Sequence, residues 1–209
     1  MFIVFEGIEG SGKSTQAGLL AEWLAGKGMA HVLTREPGGT QVGEEIRRAL
    51  LHGGDVQPRT ELLLMLAARA AVVDQVVQPA LHSGRIVIAD RYEMSSFAYQ
   101  AYGRGLGLDE VRNVNAFATT GLRPDVTIVL DVDPQEGITR RERAGAAADR
   151  IERAGAEFHL EVARAYRLLS ETEPGVALVA GRGAPEAVHE RIRVLLCERF
   201  PETFAPAQG

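Results

Sequence analysis

Short apolar runs alternate along the chain with longer segments in which apolar residues recur every three or four positions. The runs Phe2–Glu6, His31–Thr34, Arg85–Asp90, Val126–Asp131 and Val176–Val179 are rich in β-branched residues and too short for helices, so they read as buried strands. Between them the spacing predicts helices over Lys13–Gly26, Gln41–Leu51, Arg59–His82, a pair between Ser95 and Thr120, then Pro134–Arg143, Glu157–Thr172 and Pro185–Arg199. Gly28, Ser83-Gly84, Pro124 and Pro174-Gly175 punctuate these boundaries. Strands that alternate with helices imply an α/β fold, a three-layer sandwich around a five-stranded parallel sheet.

Composition narrows this reading without redirecting it. A chain of 209 residues suits one well-filled domain, and 45% hydrophobic with 24% charged residues is ordinary for a globular protein. The stretch from Arg140 to Ala156 is rich in Arg, Ala and Gly and poor in large apolar residues, so a mobile lid is expected at about residues 140–156. A formal charge of −5 argues against nucleic acid as a partner, and any anionic ligand must be held locally. No apolar run approaches a membrane span, and Glu6 ends the first one too soon for a signal peptide, so a cytoplasmic location is expected. The single cysteine, Cys197, lies in an apolar-periodic stretch and reads as a core filler.

The strongest chemical signal is Gly7-Ile8-Glu9-Gly10-Ser11-Gly12-Lys13-Ser14, which fits G-x-x-x-x-G-K-[ST] between a first strand and a first helix. Glycines let successive backbone N–H groups converge on phosphates, and the helix N-terminus adds positive partial charge. Residues Gly7 to Thr15 are therefore the expected ATP cradle of a P-loop NTPase fold, with Lys13 on the β- and γ-phosphates and Ser14 on Mg²⁺. The same cradle serves kinases, switches and motors. No N-K-x-D element follows Val126–Asp131, which argues against a GTPase, and the compact chain leaves little room for the coupling motifs of a motor.

Three further constellations point to a small-molecule kinase. The loop Thr34-Arg35-Glu36-Pro37-Gly38-Gly39-Thr40 follows the second strand, where α/β sheets bind ligands, and makes Arg35 a candidate for a substrate phosphate; a solvated turn is the alternative. Asp90-Arg91-Tyr92 ends the third strand. Asp90 can orient Mg²⁺ and Arg91 can take a phosphate bidentately, against a plain Asp-Arg salt bridge, and Asp131 competes with Asp90 for the metal. Arg140, Arg141, Arg143, Arg150 and Arg153 crowd the expected lid, where arginines can stabilise the charge that phosphoryl transfer spreads over equatorial oxygens.

These residues resemble the thymidylate kinase family from Phe2 to about Arg199. Thr34–Thr40 is similar to a signature of its bacterial members, Asp90-Arg91-Tyr92 to its Asp-Arg-[Tyr/His] motif, and Ser95-Ser96-Phe97-Ala98-Tyr99-Gln100 to its nucleoside-pocket segment. Arg123-Pro124-Asp125 and Asp149-Arg150-Ile151-Glu152 extend the match. The resemblance implies phosphoryl transfer from MgATP to dTMP by a homodimer. It implies that Glu9 contacts the sugar region, that Arg91 and Arg35 hold the dTMP phosphate, and that Arg69 bonds the thymine carbonyl. Pro37, Ser95, Tyr99 and Gln100 would line the same pocket. The phosphate loop holds no arginine, as in the bacterial subclass whose lid supplies the catalytic ones, which makes Arg150 the first candidate, with Arg140 and Arg143 behind it. Where the family commonly stacks a phenylalanine on thymine this chain has Met65, either a softer cover for the base or plain core. A kinase for another acceptor and an inert nucleotide-binding module are the competing readings.

Overall fold

β1 (Phe2–Glu6) is buried along its whole length, because sheet partners flank it and helices cover both of its faces. It lies at the centre of a parallel sheet with β2 (His31–Arg35), β3 (Ile86–Asp90), β4 (Val126–Asp131) and β5 (Val176–Ala180), in the order β2-β3-β1-β4-β5. The computed structural model describes residues 1–143, 145 and 149–204. Successive strand residues point to opposite faces. Ile3 and Phe5 accordingly meet Leu20 and Leu24 of α1 (Lys13–Gly26) and Ile192 and Leu196 of α9 (Pro185–Arg199). Phe2 and Val4 enter the opposite layer with Val73, Val77 and Ala80. The apolar strand runs seen in the sequence are the product of this two-sided burial. A third cluster joins Val129 of β4 to Leu62 and Leu66 of α3 (Pro58–Val72) and to Val162, Tyr166 and Leu169 of α8 (Ala156–Thr172).

The strand expectations hold to within a residue at either end. Helix α2 (Gln41–His52) begins where Thr40 Oγ1 accepts the Gly43 N–H at 3.0 Å, so the last residue of the Thr34–Thr40 loop is an N-cap. The single helix expected over Arg59–His82 is divided. α3 passes through a π-helical turn, Val73–Val77, into α4 (Gln78–His82). Pro79 has no N–H to donate four residues back, and the wide turn absorbs that interruption, with the Gln78 N–H reaching Val73 O. The expected pair between Ser95 and Thr120 is α5 (Glu93–Ser96), extended by a π-helical turn over Phe97–Gly103, and α6 (Leu108–Thr119). A 3₁₀ turn at Glu152–Ala154 and α10 (Pro201–Phe204) are too short for periodicity to reveal. Helix α7 (Pro134–Arg143) opens the expected lid, of which residues 144 and 146–148 lie outside the described residues. Cys197 is half-buried against the α1/α9 core, as a structural cysteine should be.

Parallel pairing puts all the strand C-termini on one edge. Arg35 is level with Asp90, and Asp90 with Phe5, so the loops after β1, β2 and β3 converge there.

Candidate active site

Tight backbone geometry shapes the loop from Gly7 to Ser14. Gly10 has φ +72°, and a Cβ there would stand 2.1 Å from the carbonyl oxygen of Gly137 in α7. No larger residue fits, so α7 is seated directly on the phosphate loop. Lys13 is buried and its Nζ donates to Gly7 O (3.0 Å) and Ile8 O (2.7 Å). Burial, followed by repulsion from Arg91, pushes its pKa down to about 8. Ser14 Oγ donates to Asp90 Oδ2, whereas Asp131, the competing carboxylate, pairs with Arg167 at 2.9 Å.

Two cavities meet at this loop, of about 320 and 450 Å³, and share Gly10, Lys13, Ser14 and Arg141. The larger follows the loop through Ser11, Gly12 and Thr15 to Arg140 and the start of α9. Ile8 faces away, into the core. The smaller cavity collects Glu9, Arg35, Pro37, Met65, Arg69 and Asp90, and then Arg91, Ser95, Tyr99 and Gln100. Nearly all the residues singled out in the sequence for an acceptor thus surround one space.

Arg91 holds a positive φ of 76°, a backbone region that non-glycine residues visit rarely and mostly at functional positions. Its guanidinium is pinned by Glu9 Oε1 (3.1 Å), Gly7 O (3.2 Å), Ser95 Oγ (3.0 Å) and the hydroxyls of Tyr99 and Tyr166. Burial raises the Glu9 pKa, but the charges of Arg91 and Lys13 and the Tyr99 hydrogen bond outweigh it and leave Glu9 below the usual carboxylate range. Arg35 is half exposed and pairs with Glu44 at 3.1 Å.

Arg69 is embedded rather than free. Its Nε donates to Glu36 Oε2 (2.7 Å), Nη1 to Ser96 Oγ (3.0 Å) and Asn115 Oδ1 (2.7 Å), and Nη2 to Tyr92 O (2.8 Å). Among the described residues four of its five N–H groups are committed, one N–H on Nη2 is not, and Arg69 lines the smaller cavity. Met65 is half-buried; it packs on the core and also lines the smaller cavity.

The lid arginines separate. Arg140 bonds Gly181 O at 3.0 Å and lines the larger cavity, and Arg141 stands at the junction of the two, paired with Glu152 at 3.2 Å. Arg143 is exposed, and neither it nor Arg150 lines either of these two cavities. Arg150 is instead bound to Glu61 Oε2 (2.7 Å) and Leu50 O (2.8 Å).

Glu6, Glu36, Arg47, Glu61 and Tyr166 were not singled out for the site by sequence, yet each lines it or orients a residue that does. Glu36 sits inside the Thr34–Thr40 motif, where alternation of strand faces turns it inward next to an outward Arg35, and its Oε1 is buried without a partner. Burial pushes the Glu36 pKa up to about 7 against the pull of Arg69. Glu61, Met65 and Arg69 recur every four residues on one face of α3, a spacing visible in the sequence that marks Glu61 as facing the site.

A strand-to-helix phosphate loop, a cluster of arginines across one lysine, and an arginine-bearing helix over both define a phosphate-loop kinase. Comparison with known proteins narrows the class. The chain matches the family profile "Thymidylate kinase" over residues 5–192. It is 43% identical over 202 residues to a protein named thymidylate kinase from Synechococcus sp. (strain JA-2-3B'a(2-13)), with 96% of each chain covered. It is 45% identical over 203 residues to one from Cutibacterium acnes, covering 94% of this chain and 98% of that protein. The chain belongs to the thymidylate kinase family.

Proposed function

We infer that the chain transfers the γ-phosphoryl group of ATP to dTMP, giving ADP and dTDP. The observation that carries this reading is that a residue with an uncommitted donor and a residue with an uncommitted acceptor, among the described residues, both line the smaller cavity. Arg69 offers its remaining Nη2 N–H, and Gln100, whose Nε2 is committed to Glu61 at 2.9 Å, is left with its carbonyl oxygen. Thymine has a carbonyl at C4 and an N–H at N3, which complement that pair. Cytosine carries an amino group and a bare nitrogen at those positions and meets both with the wrong polarity. Arg91, with Arg35 and Arg47 on the same wall, would hold the dTMP phosphate, and Glu9 and Tyr99 would lie under the sugar.

The larger cavity would take ATP, with its phosphates along the loop N–H groups. Lys13 and Arg141 belong to both cavities and so would stabilise the negative charge of the transferring group, and we assign the central lid role to Arg141. Residues 140–156 would act as the lid that excludes water. Ser14 and Asp90 set two hard oxygen donors together, and Mg²⁺ fits such a pair because it takes few protein ligands and fills its shell with phosphates and water. Bound there, Mg²⁺ would neutralise phosphate charge. Arg91 fixes the acceptor oxygen and the loop fixes the donor, so catalysis is positional and electrostatic, without a covalent intermediate. A homodimer is the expected assembly, with exposed Leu63 on α3 and Val114 and Phe117 on α6 as apolar candidates for the contact, which light scattering would check. Among the described residues no helix is long and apolar enough to cross a membrane.

The test is acceptor-dependent ADP release from MgATP, comparing dTMP with dUMP, dCMP, AMP, thymidine and no acceptor. Preference for dTMP supports the assignment. Turnover of another acceptor removes the thymidylate label, and silence with all of them removes the kinase.

A further inference from the structure

Glu61 lies in the first turn of α3 with none of its surface exposed, yet three side chains converge on its carboxylate with four donor groups. Oε1 accepts Gln100 Nε2 at 2.9 Å and Arg104 Nε at 3.3 Å; Oε2 accepts Arg104 Nη2 at 3.2 Å and Arg150 Nη2 at 2.7 Å. Burial alone would favour the protonated acid, but these hydrogen bonds, that of Gln100 foremost, hold Glu61 below the usual carboxylate range. An ionised carboxylate can only accept. Gln100 must therefore turn its amino group to Glu61 and its carbonyl oxygen away from it, and Gln100 lines the smaller cavity.

The other oxygen of the same carboxylate holds Arg150. That residue is also tied down by its Nε to Leu50 O at 2.8 Å and its backbone N–H to Leu51 O at 3.1 Å, and it opens the turn in which Glu152 pairs with Arg141. The group that orients Gln100 thus also anchors the segment that positions the arginine shared by both cavities.

We propose that Glu61 is the positioning residue that sets the hydrogen-bonding polarity of the base site, making it select a pyrimidine with an N–H at N3, and that it couples this selection to the seating of the Arg150–Arg141 segment. The proposal rests on the dTMP reading above. With Glu61 replaced by an amide, Gln100 can present either its oxygen or its amino group, and the discrimination against cytosine falls.

The experiment compares kcat/KM for dTMP and dCMP in the wild type, Glu61→Gln and Arg150→Met, with thermal melts to confirm folding. Glu61→Gln should reduce the dTMP/dCMP ratio by about tenfold or more, because the mismatch no longer leaves wrongly paired groups. It should also lower kcat with dTMP. Arg150→Met should lower kcat while keeping the ratio. Equal losses on both acceptors in Glu61→Gln, with the ratio unchanged, would assign Glu61 a purely structural role and overturn the proposal. Should Glu61→Gln not fold, Glu61→Asp keeps the charge but withdraws it by one methylene from Gln100; a wild-type ratio in that variant overturns the proposal equally. A wild type that does not prefer dTMP to dCMP would instead defeat the thymidylate reading itself, before any variant is considered.

Discussion

Replacing Arg69 with methionine should destabilise the protein strongly and in a pH-dependent way, because this arginine is as much a structural centre as a ligand. The change strips a buried carboxylate, Glu36, of its cation, leaves Ser96 Oγ and Asn115 Oδ1 without this donor, and removes one of the two donors to Tyr92 O. Removing one partner of a buried pair costs about 3–5 kcal/mol, which for a chain of this size lowers Tm by roughly 6–20 °C. The pH dependence follows from Glu36, whose folded-state pKa of about 7 is already above the ordinary 4.5. A raised carboxyl pKa contributes stability at low pH that is lost as pH rises through the folded value. In the wild type that loss is complete just above 7. Without Arg69 the Glu36 pKa rises further, and the variant keeps losing stability where the wild type has levelled off. The deficit should therefore grow by about 1.4 kcal/mol per pH unit above 7, up to the new pKa. Urea unfolding at several pH values, with m checked for constancy, measures this directly, and adding Glu36→Gln to Arg69→Met should flatten the profile. A deficit below about 1 kcal/mol, or one flat between about pH 7 and 9, would refute the description of Arg69 as the partner of an ionisable buried Glu36.

The other predictions concern the phosphate loop, the lid and the base. Lys13, with a pKa of about 8 in the free protein, should regain its proton on binding ATP, so affinity should weaken by up to about tenfold per pH unit above 8, with proton uptake visible by calorimetry in buffers of different ionisation enthalpy. Gly10→Ala places a Cβ 2.1 Å from Gly137 O and should weaken ATP binding by about tenfold or more in an ATP titration. Arg141→Ala should lower kcat by about a hundredfold with little change in dTMP KM, whereas the exposed Arg143→Ala should leave both nearly unchanged in steady-state kinetics. Met65→Phe should lower dTMP KM if Met65 covers the base, and an altered melting temperature with unchanged KM would make it core alone.

What was legible in the sequence was what is local. The β1 run reads as a strand because both of its faces are buried, and the phosphate loop is contiguous, so its spacing carries its geometry. Asp90-Arg91 and Ser95–Gln100 follow one strand end and stay together for the same reason. Partners separated in sequence were not legible. Glu61 meets Gln100 across 39 residues and Arg150 across 89, and no local pattern distinguishes an arginine bound to Glu61 from one aimed at a phosphate. The ranking of Arg150 ahead of Arg141 could not be made from composition, because which lid arginine reaches the junction depends on how α7 sits on Gly10.

The same buried contacts explain how a chain with net charge −5 can gather polyanions. The arginines in and around the site are not loose charges drawn to phosphate but are paired with glutamates that orient them: Glu9 with Arg91 and Glu36 with Arg69 at the cavity wall, and Glu61 with Arg104 and Arg150 behind it. The glutamates offset part of the arginine charge at a distance, while close to the site the direction of each N–H is set before a ligand arrives. Ordering a free arginine on binding costs side-chain entropy, and a clamped one has lost it already in folding. The cost falls instead on stability, since every clamp buries a carboxylate that must keep its partner. The glutamates therefore control where the arginines point.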